Sequence, residues 1–230
     1  MRVLFVGPSL YGETPDLAGL SVRSPARQGD VARAVLDGAG AIGLIDGFFD
    51  AVAAPWHKEI LFALDRGVTM LGASSMGALR AAECAAFGMI PIGEVARQYC
   101  TGELDDDAAV AISHGPEELG YPPLTEPLVN VRPTLDRLRS LRLISEPEQL
   151  RIWDRACRLY FKDRSIDALL PAEERPEILA AYRRHRINRK AEDALLLVAE
   201  LKTCSALATQ HPVKPEPSFF SRHILPEMLE

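Results

Sequence analysis

Residues 68–79 read Val-Thr-Met-Leu-Gly-Ala-Ser-Ser-Met-Gly-Ala-Leu. The first half of this stretch is a largely apolar run without alternation, which is typical of a parallel β-strand buried on both faces. After two serines, a helix is predicted from Met76 to Phe87, and Gly88 is the residue expected to end it. The stretch therefore predicts a strand, a sharp turn of small residues and a helix in direct succession.

The same succession occurs earlier in the chain. Apolar runs at residues 2–7 and 41–47 predict strands, and helices are predicted at residues 29–36 and 56–65. Strands and helices that alternate at this spacing are typical of βαβ units. The predicted fold class is therefore α/β, with a mainly parallel sheet flanked by helices. A fourth apolar run, at residues 109–113, is interpreted as one more strand.

The second half of the chain is predicted to be α-helical. Pro133 begins a segment with leucines at three-residue spacing. A long helix is predicted from Arg175 onward, and its apolar stripe runs from Ala191 to Leu201. The fold class is thus completed by a helical C-terminal region.

Charge divides the chain at about the same place. The first 131 residues carry 8 basic and 17 acidic side chains, whereas the others carry 18 and 15. We therefore predict an α/β core domain at residues 1–131, a helical region at 132–210 and an extended, proline-rich tail at 211–230.

Composition argues against several classes of protein. Lys and Arg number 26 against 32 Asp and Glu, so the net charge of −6 disfavours a nucleic-acid partner. The uncharged run at residues 67–79 falls short of the roughly 20 residues that a membrane span needs, and the N-terminus lacks the pattern of a secretory signal. We expect a cytoplasmic protein without membrane contact. The four cysteines have no metal-ligand spacing, so no metal is expected.

Polar and titratable side chains follow the predicted strands. Ser9 comes after the first strand, Asp46 after the second, and Ser74 and Ser75 after the third, while His114 follows the fourth apolar run. Ligands of open α/β sheets bind beyond the carboxyl ends of the strands. The sequence therefore predicts a functional site at this edge of the sheet.

Ser75 is the leading candidate nucleophile. The sequence Ala73-x-Ser75-x-Gly77 approximates the G-x-S-x-G turn that exposes a serine above an α/β sheet. The N–H groups of Met76 and Gly77 lie at the predicted helix N-terminus, where they are placed to stabilise an oxyanion. The alternative is that Ser74 or Ser75 only caps the helix.

His57 is the leading candidate for the general base. It lies at the start of a predicted helix, where the helix dipole favours the neutral imidazole. Asp46 is the candidate carboxylate that orients it. The alternatives are a partly exposed first-turn residue for His57, a turn former for Asp46, and His114 as the base instead.

Charged residues beyond these have less specific interpretations. Arg80 and Glu83 are three residues apart on a predicted helix and are expected to form an ion pair. The acidic run at residues 105–107 is interpreted as a solvated turn rather than a cation site. Five basic residues within 183–190 form either a solvated helix face or a docking surface for an acidic partner.

An ordered series of motifs resembles the TfuA-like family over residues 1 to about 135. The series is far more specific than any one of its members. The motifs are FVGPSL at 5–10, QGDV at 28–31, GLIDG at 43–47, WHKEIL at 56–61, GASSMGALRAAE at 72–83, HGP at 114–116 and PLVNVR at 127–132.

The resemblance implies a partner of YcaO enzymes in the thioamidation of ribosomally made peptides. It implies hydrolysis of a thiocarboxylated, ubiquitin-like sulfur carrier of the ThiS-like kind, with no cofactor of its own. In this interpretation Ser75, His57 and Asp46 are catalytic. Substrate binding is assigned to Ser9, Ser74, Met76, Gly77, Arg80, Glu83 and His114.

Two alternatives stay open. One is a non-catalytic adaptor of YcaO, since members of the family differ in this respect, and the other is an unrelated small-molecule hydrolase on the same scaffold. One departure from the family concerns the acidic run at residues 105–107, which here continues into alanine instead of another acidic residue.

Overall fold

A parallel β-sheet organises the computed structural model, which describes residues 1–50, 52–172 and 175–204. The strands among these residues are β1 (Arg2–Phe5), β2 (Ser21–Arg23), β3 (Ala41–Leu44), β4 (Thr69–Ala73) and β5 (Ile90–Ile92). They lie in the order β2-β1-β3-β4-β5, and every neighbouring pair is parallel. The predicted α/β class with a mainly parallel sheet is confirmed.

The strand order fixes where a ligand would bind. It is the flavodoxin-like order of doubly wound sheets, in which the chain moves outward from β1 to β2 and then returns to build the other side from β3. The crevice of such sheets opens between the carboxyl ends of β1 and β3. The loops after these two strands contain Ser9 and Asp46.

Helices follow the strands and continue through the second half, so the predicted helical C-terminal region is confirmed. The helices are α1 (Asp30–Leu36), α2 (His57–Asp65), α3 (Met76–Cys84), α4 (Gly93–Thr101), α5 (Leu128–Ser140), α6 (Glu146–Arg158), α7 (Ile166–Leu169), α8 (Pro176–His185) and α9 (Arg189–Thr203). No helix in the described ranges is long and apolar enough to cross a membrane.

Both faces of the sheet are buried, as the unbroken apolar runs predict. On one face Phe5, Ile42 and Met70 pack in a cluster that includes residues of α1, α2 and α3. On the other face Leu4 and Leu71 lie in a cluster completed by α9. Neighbouring residues of one strand thus point to opposite faces, and the sheet is the middle of three layers.

Contacts group the chain into two compact units. One consists of Met1–Asp105 and the described residues from Ala191 onward, and the other is Asp106–Lys190. The first unit contains the sheet, α1 to α4 and nearly all of α9, whereas α5 to α8 belong to the second. The tail predicted at residues 211–230 lies outside the described residues.

The strand predicted at residues 109–113 is wrong. The segment begins in a short 3-10 turn, Asp107–Ala109, and continues as a loop. Val110 is fully buried there, and the Ser113 N–H donates to Thr125 Oγ1 at 2.8 Å. The apolar run therefore reflects burial of a loop, which hydrophobicity alone does not distinguish from a buried strand.

Two helix boundaries also differ from the prediction. Pro133 lies inside α5 rather than at its start. The long helix expected from Arg175 is broken between α8 and α9, where Arg186 is extended and the Ile187 N–H donates to Thr134 Oγ1 at 2.9 Å. A tertiary hydrogen bond replaces a helical one at this break, and local periodicity does not report such contacts.

Two buried carboxylates complete helix N-termini from other parts of the first unit. Asp193 accepts the N–H groups of Glu94 at 3.0 Å and Val95 at 2.7 Å, at the start of α4. Glu59 accepts the N–H of Ala32 at 3.3 Å in α1, and burial raises its pKa above the usual value. Both satisfy donors that a helix leaves unpaired at its first turn.

Candidate active site at the ends of three strands

Asp46 follows β3 and is held by the loop after β1. Its Oδ2 accepts the N–H groups of Gly7 at 2.9 Å and Ser9 at 3.0 Å, and its Oδ1 accepts the Ser9 hydroxyl at 2.7 Å. Asp46 and Ser9 are each 2% exposed. Three donors from one loop therefore fix the carboxylate at the crevice between β1 and β3.

Ser74, at the end of β4, extends this arrangement. Its hydroxyl donates to Ser9 Oγ at 2.9 Å, and Ser9 donates in turn to Asp46. Ser74 is 0% exposed. We call these three residues the Ser-Ser-Asp chain. It joins the carboxyl ends of β4, β1 and β3 through side chains alone.

The turn between β4 and α3 has an unusual backbone. Ser74 has φ = 67°, and the Ser75 N–H donates back to Ala73 O at 2.7 Å, which makes a tight turn centred on Ser74. A positive φ is strained for a residue other than glycine, and such strain is common at functional sites. The sharp turn predicted from the sequence is present, and its strained residue is Ser74.

Ser75 is the residue that precedes α3. Its side chain makes no capping hydrogen bond to the helix, and the Ser74 hydroxyl is directed to Ser9. The cap-only alternative is therefore wrong for both serines. Ser75 is 3% exposed.

Glycines allow α3 to begin close to the sheet. A Cβ atom at Gly77 would lie 1.8 Å from Leu44 O, and one at Gly72 would lie 2.1 Å from Gly77 O. Only glycine fits such backbone contacts. They bring the first turn of α3 against the end of β3, where Asp46 follows.

Of the two N–H groups predicted to stabilise an oxyanion, one is already hydrogen-bonded within the protein. The Gly77 N–H donates to Ile45 O at 3.1 Å, so it is engaged by the backbone. The Met76 N–H is the first of α3, and the first N–H groups of an α-helix have no acceptor within the helix. Gly77 thus serves close packing, and the role of the Met76 N–H as an oxyanion donor stays a prediction.

His57, at the start of α2, pairs with Glu83 of α3 and not with Asp46. Its Nε2 lies 2.7 Å from Glu83 Oε2. The same oxygen accepts Arg80 Nη1 at 2.7 Å, which confirms the expected ion pair, and Arg80 Nε donates to Pro55 O at 2.8 Å. The carboxylate that contacts His57 is thus Glu83, while the oxygens of Asp46 accept donors from the β1 loop.

The orientation of His57 has a chemical consequence. When Nε2 carries the proton that is shared with Glu83, Nδ1 of the neutral ring is the atom able to accept one. The His57 side chain is 49% exposed. The residue is therefore accessible and held by an acidic partner, as a general base requires.

The family model described as TfuA-like protein matches residues 46–165, which is more than half of the 230-residue chain. The chain belongs to the TfuA-like family. A comparison with curated proteins finds no match.

The match to the TfuA-like family begins at Asp46 and spans both serines of the turn, so Ser9 is the one member of the Ser-Ser-Asp chain outside it. It continues to residue 165, beyond the motifs quoted from the sequence, and thus includes α5 and α6.

His114 lies in the second unit of the TfuA-like chain, with partners of its own. Its Nδ1 is 2.8 Å from Gly115 O, and its ring meets the Tyr121 ring edge-on at 5.5 Å. The role of His114 as base or as substrate-binding residue stays a prediction.

The basic cluster at residues 183–190 is not a single solvated face. Arg183 pairs with Asp167 at 2.7 Å, and Arg186 pairs with the buried carboxylate of Glu126 at 2.7 Å. Lys190 is buried and donates from Nζ to Val110 O at 2.9 Å. Much of this charge therefore holds the second unit together.

The acidic run behaves as a turn former. Asp106 Oδ1 accepts the Ala108 N–H at 2.8 Å at the start of a 3-10 turn. Among the described residues, no group of three or more His, Cys, Asp or Glu side chains is arranged to hold a metal ion.

Sequence reasoning missed Glu83 as the partner of His57. The available signal was its spacing from Arg80, which predicted an ion pair, together with the sequence order of α2 and α3 around β4. Sequence reasoning assigned Ser9 and Ser74 to substrate binding, whereas Ser74 donates its hydroxyl proton to Ser9 and Ser9 donates its own to Asp46.

Proposed function

We propose that this protein supplies sulfur to a YcaO enzyme during backbone thioamidation of a ribosomally made peptide. It does so by hydrolysing the thiocarboxylated C-terminus of a ubiquitin-like, ThiS-like sulfur carrier. Membership of the TfuA-like family links the chain to YcaO-dependent thioamidation. The observation that carries the hydrolytic step is the strained β4–α3 turn, which places Ser75 at a helix N-terminus.

The substrate explains why a serine turn is suitable. A thiocarboxylate is an acyl group with sulfur as the leaving atom, and it carries negative charge. A helix N-terminus favours an anion through its dipole and its unpaired N–H groups. In the proposal the carrier's tail places its acyl carbon at Ser75, with the acyl oxygen at the Met76 N–H.

The first step transfers the acyl group to the protein. Ser75 Oγ forms a bond to the acyl carbon while His57 accepts the hydroxyl proton at Nδ1. The C–S bond breaks, sulfur leaves with the electron pair, and the His57 imidazolium gives its proton to the sulfur, so that the imidazole is neutral again. Glu83 keeps the imidazole in the required tautomer and stabilises its cation.

The second step restores the serine. Water activated by His57 attacks the ester carbon, the bond to Ser75 Oγ breaks, and Ser75 recovers its proton. The net reaction converts thiocarboxylate and water into carboxylate and hydrogen sulfide. Neither step requires a cofactor.

One observation favours a second candidate, a non-catalytic adaptor of YcaO. Ser75 is only 3% exposed, as expected if the turn is purely structural. The two functions differ in the effect expected when the Ser75 hydroxyl is removed: only the hydrolase would lose its supply of sulfur.

A reconstituted thioamidation reaction separates the two. Ser75→Ala should support thioamidation with free sulfide and fail with the thiocarboxylated carrier. Ser140→Ala, which changes an exposed serine in α5, should support both. Equal activity of Ser75→Ala with either sulfur source would favour the adaptor.

A further inference from the structure

We infer that the Ser-Ser-Asp chain is a buried positioning device that holds Ser74 in its strained conformation and thereby aims Ser75. The inference rests on the proposed function of Ser75. The sequence predicted that Ser9 and Ser74 contact substrate and that Asp46 orients His57. The inference assigns all three residues a different role.

The hydroxyl protons of both serines are directed along the Ser-Ser-Asp chain toward Asp46. A serine hydroxyl has one proton to donate. Ser74 gives its proton to Ser9, and Ser9 gives its own to Asp46. Neither hydroxyl can donate to a substrate anion without breaking the chain, so the two serines act on each other and not on the carrier.

The Ser-Ser-Asp chain is buried. The three residues are at most 2% exposed, so water does not compete for their hydrogen bonds. A hydrogen bond to a carboxylate is stronger than one between neutral groups, and a low local dielectric strengthens it further. The Ser-Ser-Asp chain ends at Asp46, whose carboxylate is itself fixed by the Gly7 and Ser9 N–H groups.

Ser74 has a strained backbone conformation. Its φ of 67° is unfavourable for a residue with a Cβ atom. Such a conformation persists only when the surroundings over-determine it. The Ser74 side chain supplies that constraint through Ser9, and the close packing of Gly77 against Leu44 O supplies another from the helix side.

The consequence concerns the next residue. Because the backbone reverses at Ser74, its φ sets the direction in which Ser75 and the Met76 N–H leave the sheet. Relaxation of Ser74 to a negative φ would move both groups. A displacement of about 1 Å at a reacting group costs on the order of 100-fold in rate.

Two substitutions at one position test this role. Glycine adopts a positive φ without strain, whereas alanine keeps the strain and loses the hydrogen bond to Ser9. Ser74→Ala should lower kcat for sulfide release on the order of 100-fold with KM nearly unchanged. The kcat of Ser74→Gly should stay within about threefold of the wild-type value, because a glycine holds the turn without the hydrogen bond to Ser9.

A second readout does not depend on the thiocarboxylate. A fluorophosphonate probe labels activated serines, and peptide fragmentation distinguishes Ser75 from Ser74. Wild type and Ser74→Gly should label at Ser75 at similar rates, and Ser74→Ala should label far more slowly. If the wild type labels in this pattern yet releases no sulfide from the carrier, the inference stands and the proposed function fails.

Other outcomes overturn the inference. Labelling of the wild type at Ser74, or a Ser74→Gly protein as inactive as Ser74→Ala, would make the Ser74 hydroxyl itself catalytic. A wild-type kcat in Ser74→Ala would show that the hydrogen bond from Ser74 to Ser9 does not position Ser75. Should Ser74→Ala fail to fold, Ser9→Ala breaks the chain at its middle, and a wild-type kcat in that variant contradicts the inference equally.

Discussion

Ser9 and Asp46 are joined across the crevice of the sheet, with the Ser9 hydroxyl 2.7 Å from Asp46 Oδ1. The two residues are 37 positions apart in sequence and follow neighbouring parallel strands. Their contact links the loop after β1 to the loop after β3 at the point where ligands of such sheets bind.

Replacing this carboxylate should destabilise the fold. Asp46→Asn keeps the shape but offers an NH₂ group where one carboxylate oxygen accepts a donor, which leaves buried donors unpaired. We expect a loss of about 1–3 kcal/mol in the free energy of unfolding, measured by urea denaturation. Asp65→Asn, at an exposed position at the end of α2, should change it by less than about 0.5 kcal/mol. Equal effects of the two substitutions would contradict the account.

Gly77 should not tolerate a side chain. Its Cβ would lie 1.8 Å from Leu44 O, so Gly77→Ala must push α3 away from β3. We expect a loss on the order of 3 kcal/mol in unfolding free energy. Gly40→Ala is the matched control, because a Cβ there comes no closer than 4.0 Å to the Met1 carbonyl. A Gly77→Ala protein as stable as the control would show that the helix is not held so close.

Glu83 should contribute to activity through His57. His57→Ala should lower sulfide release about 100-fold, the lower range for a general base. Glu83→Gln keeps a hydrogen bond but removes the charge, so its rate should fall between those of His57→Ala and the wild type. Glu200→Gln, on the exposed side of α9, is the control. If Glu83→Gln released sulfide at the rate of this control, the His57–Glu83 pair would have no role in catalysis.

The cysteines should differ in reactivity. Burial raises the pKa of Cys84 to about 11, whereas Cys100 is exposed. The thiolate is the reactive form, so at pH 8 iodoacetamide should label Cys100 and leave Cys84 unmodified, as read by mass spectrometry. Labelling in urea should reach all four cysteines. Rapid labelling of native Cys84 would mean that its face of the sheet opens readily.

The strand, turn and helix at residues 68–79 could be predicted because each part carries a strong local pattern. An apolar run, two small polar residues and a helix-forming segment follow one another without a competing interpretation. β2 and β5 were missed because each has three residues and neither is fully buried. A segment that short has too few residues for a periodicity.

The edge of the sheet that carries the site could also be predicted, since parallel strands place their carboxyl ends together. Which side chains meet there could not be predicted. Asp46 was matched to His57 by position, yet its acceptors are used by N–H groups that no side-chain pattern reveals. The strain at Ser74 was equally hidden, because a positive φ is ordinarily a sign of glycine.

The central claim is that Ser75 takes part in releasing sulfur from a protein thiocarboxylate. The most direct measurement is the rate of sulfide release from a purified thiocarboxylated carrier, with wild-type protein and with Ser75→Ala, in the absence of YcaO. The account predicts release by the wild type and a loss of at least about 100-fold in the variant, with an unchanged melting temperature. Release by Ser75→Ala at the wild-type rate, or no release by the wild type above the uncatalysed rate, would contradict it.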